Sequence, residues 1–186
     1  MKKLVGLLCW FIFPLTGWAQ RTPSPPSSPQ LAFSQNLEAG PTLPIGVFSL
    51  THVAGFQLEY SYGKHGFGRG SAAHQKFLQL FGKAGASVYI GVHDKGIAAG
   101  YTYPLYYFFS ADAGVLHRFG RYVQLQCATG PGFRLYNHSS AFGWHFQLQG
   151  TYYLSERVAI VPGVQAIKES IADPLYTLSL KLAYAF

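Results

Sequence analysis

The residues best suited to chemistry in this chain are His138, Ser139 and Ser140. In an extended segment His138 and Ser140 share one face two residues apart, as a general base beside a hydroxyl nucleophile would. Such a pair needs a carboxylate to orient the imidazole, and between Ser139 and Leu154 there is no Asp or Glu. A polar hairpin tip is the simpler reading, so no catalytic residue is assigned. His52, His65 and His74 offer nitrogen ligands, but spacings of 13 and 9 residues fit no compact metal pattern. No P-loop, HExxH, GxSxG or CxxC motif occurs. Nucleotide, zinc-hydrolase and thiol chemistries therefore have no support, and neither metal nor cofactor is expected.

What remains is a small set of charges in an apolar chain. Residues of the AVILMFWYC set make up 49% of the 186 and charged residues only 11%, with 13 Tyr and 15 Phe. Charged residues are usually about 25% of a soluble protein. Period two supplies the elements that must hold these charges. Tyr176, Leu178, Leu180, Leu182, Tyr184 and Phe186 alternate with Thr177, Ser179, Lys181, Ala183 and Ala185. Only a β-strand puts such partners on opposite faces. The same pattern runs through 53–62, 122–136 and 142–154, and less cleanly through about 32–43, 76–92, 105–117 and 158–167.

The apolar face of these strands is bulky, whereas the other face is Gly, Ala, Ser, Gln and single charges. A soluble sandwich would need that second face to supply a charged surface, which this composition cannot do. A transmembrane barrel inverts the arrangement, with lipid outside and polar side chains within. The sequence therefore predicts an all-β, closed antiparallel transmembrane barrel of eight strands, with ten possible because 63–75 is long for a turn. Tight turns fall at Arg118–Arg121 and Ser155–Arg157, and the loops 44–50, 93–104, 137–141 and 168–174 fall at the opposite end.

Alternation points Glu38, Glu59 and Asp112 inward with Lys83, Arg134 and Lys181, joined by Gln57, Gln124, Gln126, Gln147, Gln149 and His145. An eight-stranded interior is only wide enough for side chains to fill it, so these charges should pair and plug it.

Ahead of the barrel, Lys2 and Lys3, the apolar run Leu4–Leu15 and Gly17-Trp18-Ala19 have the pattern of a secretory signal peptide, residues 1–19. The run is short against the roughly 20 residues of a spanning helix. Residues 20–31, with four prolines in RTPSPPSSPQL, predict an extended linker, and 32–186 the barrel domain. Without Lys2 and Lys3, twelve bases face seven acids, a net charge of +5. The bases are scattered, so no nucleic-acid partner is expected. With Cys9 removed, Cys127 has no intrachain partner.

The terminal alternation ending on Tyr184 and Phe186 resembles the last strand of Gram-negative outer-membrane β-barrel proteins. The similarity covers 32–186 and is nearest to OmpX and the OmpA membrane domain. A segment Gly40-Pro41-Thr42-Leu43-Pro44-Ile45-Gly46 is similar to uncharacterised members of this group. The resemblance implies an outer-membrane location, a bilayer with lipopolysaccharide as surroundings, and a barrel-assembly machinery that reads Tyr184 and Phe186. It names no extracellular partner. It implies a non-enzymatic structural or surface-interaction role, with a lipid A deacylase-like enzyme and a narrow pore or carrier as alternatives.

Overall fold

The computed structural model describes residues 33–64, 78–94, 100–119, 123–155, 157–169 and 173–186. The expected signal peptide and linker lie outside the described residues, as do His65 and His74.

Three long strands come first: β1 (Phe33–Ile45), β2 (His52–Lys64) and β3 (Leu78–Gly91). Two short ones, β4 (His93–Asp94) and β5 (Tyr101–Thr102), pair as a separate ribbon. Then follow β6 (Tyr106–Phe119), β7 (Val123–Tyr136), β8 (Ser139–Tyr153), β9 (Val158–Glu169) and β10 (Leu175–Ala185). The eight long strands close a barrel in the order β1-β10-β9-β8-β7-β6-β3-β2. Every neighbouring pair is antiparallel, and β1 meets β10 with Leu37 opposite Tyr184 and Thr42 opposite Ser179. Closure leaves no sheet edge with unpaired amides, which is what a β-protein in hydrocarbon requires.

The faces are inverted relative to a soluble protein. Leu178, Leu180 and Leu182 are 39%, 56% and 61% exposed, whereas Lys181 between them is 1% exposed. Around the barrel Phe56, Leu58, Leu125, Phe146 and Leu148 also point outward, and Gln57, Glu59, Gln126, Gln147 and Gln149 are buried.

Eight strands, not ten, form the barrel. Because β2 ends at Lys64 and β3 starts at Leu78, the long connection lies at the end where β1 begins and β10 finishes. Three expected loops shrink. The loop at 137–141 is a two-residue turn, because Asn137 and His138 take φ of 45° and 62° and β8 starts at Ser139. Positive φ at both positions matches the twist of the flanking strands, and Asn tolerates it better than most residues. The loop at 168–174 loses its start to β9, which runs through Glu169. The loop at 44–50 is strand as far as Ile45, followed by the 3-10 turn Gly46–Leu50.

Two glycines fix how closely the wall packs. A Cβ on Gly130 would lie 2.1 Å from the Ala111 backbone oxygen, and one on Gly132 2.1 Å from the Phe108 ring.

Candidate functional site

The alternation of β1, β2, β3 and β10 delivers Glu38, Glu59, Lys83 and Lys181 to one level inside the barrel. Lys83 Nζ lies 3.0 Å from Glu38 Oε2 and 3.0 Å from Glu59 Oε2. Lys181 Nζ lies 3.2 Å from Glu38 Oε2 and also pairs with Glu59. Two carboxylates and two ammonium groups thus form a neutral square, with all four side chains removed from solvent. The glutamines saturate it. Glu59 Oε1 accepts from Gln57 at 2.7 Å and Gln147 at 2.6 Å, and Lys83 donates to Gln149 Oε1 at 2.6 Å. Gln57 and Gln165 exchange amide hydrogen bonds across the barrel. Buried charges are tolerated only with this degree of pairing and hydrogen bonding.

Asp112 and Arg134 are not part of the square. Asp112 Oδ2 meets His145 Nδ1 at 2.8 Å, both buried, with Phe108 5.6 Å from the imidazole. Arg134, partly exposed, pairs with Glu169 at 2.8 Å, and the Tyr106 hydroxyl donates to the same carboxylate at 2.9 Å.

Above these pairs sits an aromatic cap. The turn Gly46–Leu50 drops Phe48 into the barrel, 4.7 Å from the His52 ring, 5.0 Å from Tyr89 and 5.3 Å from Tyr106. His52 is fully engaged, Nδ1 with Thr51 Oγ1 at 2.9 Å and Nε2 with the Pro104 oxygen at 3.3 Å. The ribbon is tied over this end by Val92 N donating to the Thr51 oxygen at 2.9 Å. At the other end Phe81, Leu116 and Ala128 form one apolar cluster and Ala159, Val161 and Ala183 another. A cavity of about 10 Å³ lined by Asn36, Glu38, Gln126 and Thr151 has room for about one water molecule.

His138 stands in the two-residue turn rather than on a strand. Ser139 Oγ donates to the Tyr136 oxygen at 2.6 Å, a contact internal to that turn. Tyr184 and Phe186 both face outward, their rings edge-on at 5.3 Å.

Four features of the interior are absent from the sequence reading: Glu169, the cap residues Phe48 and Tyr106, and the pairing of Asp112 with His145. Glu169 was detectable, since it continues the inward series Gln165 and Ile167. Phe48 was not, because a 3-10 turn breaks period two.

No protein-family model matches the sequence, and none of the curated proteins compared with it does. Solved structures do match in fold. The Yersinia pestis outer membrane protein Ail in a phospholipid bilayer nanodisc aligns with 82% of this chain and 99% of its own, at TM-score 0.55 and 16% identity. The N-terminal β-barrel domain of Pseudomonas aeruginosa OprF gives 0.51 and 12%, covering 82% and 97%. The outer membrane enzyme PagL gives 0.55 and 10%, covering 81% and 98%. The chain therefore has the fold of eight-stranded outer-membrane barrels. At these identities the likeness extends to the fold alone.

Proposed function

We propose that the chain is an integral outer-membrane barrel that is sealed to solutes and has a structural or surface-interaction role rather than a catalytic one. The observation that carries this reading is the inversion of polarity across the wall. Exposed Leu, Phe and Tyr need a hydrocarbon solvent, and a buried lattice of Glu, Lys and Gln fills the lumen where a channel would need water. The loop end faces outward and the end where β1 begins and β10 finishes faces the periplasm, with Tyr184 and Phe186 read by the assembly machinery. Lipopolysaccharide and phospholipid surround the wall. The short connections at the loop end suit a small or laterally embedded partner better than a broad extracellular one.

Heat-modifiable gel migration combined with membrane fractionation tests the location. A chain found in the soluble periplasmic fraction with heat-independent migration would overturn it. The fold shared with PagL makes lipid modification the enzymatic rival, with His138 and Ser140 as its residues. Lipid A profiles should be the same with the wild-type chain and with His138→Ala, and a change that depends on His138 would reverse the assignment.

A further inference from the structure

Alternation carries two arginines into the lumen at the end where β1 begins and β10 finishes. On β6 the inward series of Asp112 and Leu116 continues to Arg118, which pairs in register with Gln124 of β7. Ahead of β9, Arg157 starts the inward series of Ala159 and Val161. Gln124 holds Arg118 in place, its amide oxygen accepting from Nη2 at 2.8 Å and Nε at 3.0 Å. The amide nitrogen of Gln124 donates to the Tyr153 hydroxyl at 3.0 Å. Gln124 is a neutral acceptor, so the charge of Arg118 is fixed without being cancelled.

Two small cavities lie beside these groups. Glu38, Gln126, Tyr153 and Arg157 line the first, where Ala159 and Ala183 are too short to fill the space. Gln126 also lines the second, with Gln124 and Asn36. Each has room for about one water molecule. Tyr153 joins the two arginines, since it shares the first cavity with Arg157 and bonds the amide that holds Arg118. Gln126 is 5% exposed, and its Nε2 donates to Thr151 at 3.0 Å. Its Oε1 is buried and meets no donor among the described residues. Such an oxygen is costly to leave unmet, so an O–H group belongs in the cavity beside it. Glu38 does not cancel the arginines, because Lys83 and Lys181 already hold its carboxylate. Among the described residues neither Arg118 nor Arg157 meets a carboxylate within ion-pair distance.

We propose that this mouth of the barrel binds a phosphate group, its charged oxygens on Arg157 and Arg118 and its hydroxyl directed at Gln126 Oε1. Guanidinium groups match phosphate oxygens two at a time, and these two have no carboxylate to compete for them. A protonated phosphate carries both the acceptors that the arginines need and the donor that Gln126 lacks. A carboxylate carries the acceptors only. The cavities admit a single oxygen, so the rest of the group stays at the opening. The wall separates this site from lipid headgroups, so the phosphate arrives from the aqueous side, as the free ion or a monoester. That this side is the periplasm rests on the membrane reading above, whereas the site itself rests on the barrel geometry.

The test folds the full chain, isotope-labelled in arginine, in alkyl maltoside micelles, whose headgroups carry no phosphate. The arginine Nε–H resonances are followed by NMR as sodium phosphate, glycerol phosphate, sodium acetate or sodium chloride is added at constant ionic strength. Phosphate should shift Arg118 and Arg157 along one saturable curve and leave Arg134, already paired with Glu169, in place. Arg157→Gln should weaken the binding by about tenfold. Gln126→Met should weaken it by about threefold. The Arg134 reference within the unaltered chain keeps the test decisive if either variant folds poorly. Saturation by glycerol phosphate as well extends the site to monoesters, and saturation by inorganic phosphate alone confines it to the free ion. Shifts that never saturate, that chloride reproduces or that Arg134 shares would each overturn the site. Acetate held as tightly as phosphate would overturn phosphate as its ligand. A chain that folds in neither micelles nor bilayers would overturn the membrane reading itself.

Discussion

Lys83 holds its Nζ 3.0 Å from Oε2 of Glu59, with neither side chain open to solvent. Glu59 is the hub of the interior, since it also meets Lys181 and accepts from Gln57, Gln147 and Gln149. Glu59→Gln keeps the shape but leaves two buried ammonium groups facing one carboxylate. The expected loss is about 3–5 kcal/mol in urea unfolding of the vesicle-folded barrel. Adding Lys83→Met restores neutrality with Glu38 and Lys181, so the double variant should lose less than the two single losses together. A coupling of about 1–3 kcal/mol is expected, and simple additivity would refute the square as a unit.

The outer wall gives a depth-dependent prediction. Leu180 is the middle residue of β10 and 56% exposed. Leu180→Arg should destabilise the bilayer-folded barrel by about 2–4 kcal/mol, and Tyr184→Arg near the strand end by about 0–1 kcal/mol. Equal and negligible losses at both sites would mean that water, not lipid, surrounds the wall.

Gly130 and Gly132 share a strand face and are separable by what they touch. Gly132→Ala drives a methyl into the Phe108 ring, whereas Gly130→Ala drives one into the Ala111 backbone. Overpacking typically costs about 1–3 kcal/mol, and backbone cannot yield as a ring can. Phe108→Leu should therefore restore heat-modifiable folding to Gly132→Ala but not to Gly130→Ala. Equal rescue of both would contradict this wall geometry.

The interior is blocked at more than one level. Phe48→Ala removes the aromatic cap but leaves the ion square and the Asp112–His145 pair beneath it. Planar-bilayer recordings should accordingly show no steady conductance for the wild type or for this variant. Steps appearing on loss of Phe48 alone would make the turn Gly46–Leu50 the only barrier.

Much of the architecture was readable from alternation, because a closed wall between two unlike solvents forces period two on every strand. Lys181 between Leu180 and Leu182 announces its direction without any tertiary knowledge. Strand direction does not, however, determine pairing. Lys83, Asp112 and Arg134 all point inward, yet they belong to three different clusters: Lys83 and Asp112 even sit opposite each other in register, but each side chain meets a partner on another strand, Glu38 and Glu59 for one and His145 for the other. The ends were less legible for a local reason. Asn137 and His138 turn within two residues, and Glu169 extends its strand, so chain that looks like loop is wall.

The ion square draws one member each from β1, β2, β3 and β10. The first three pair side by side in order of synthesis, but Lys181 reaches them only when the last strand has docked on the first. Until then two carboxylates share a single cation in a half-open sheet, a strongly penalised arrangement. Partly zipped intermediates are thus disfavoured, and completion of the seam becomes an all-or-none event, so a chain cut before Lys181 should be left for proteolysis rather than lodge as an open sheet.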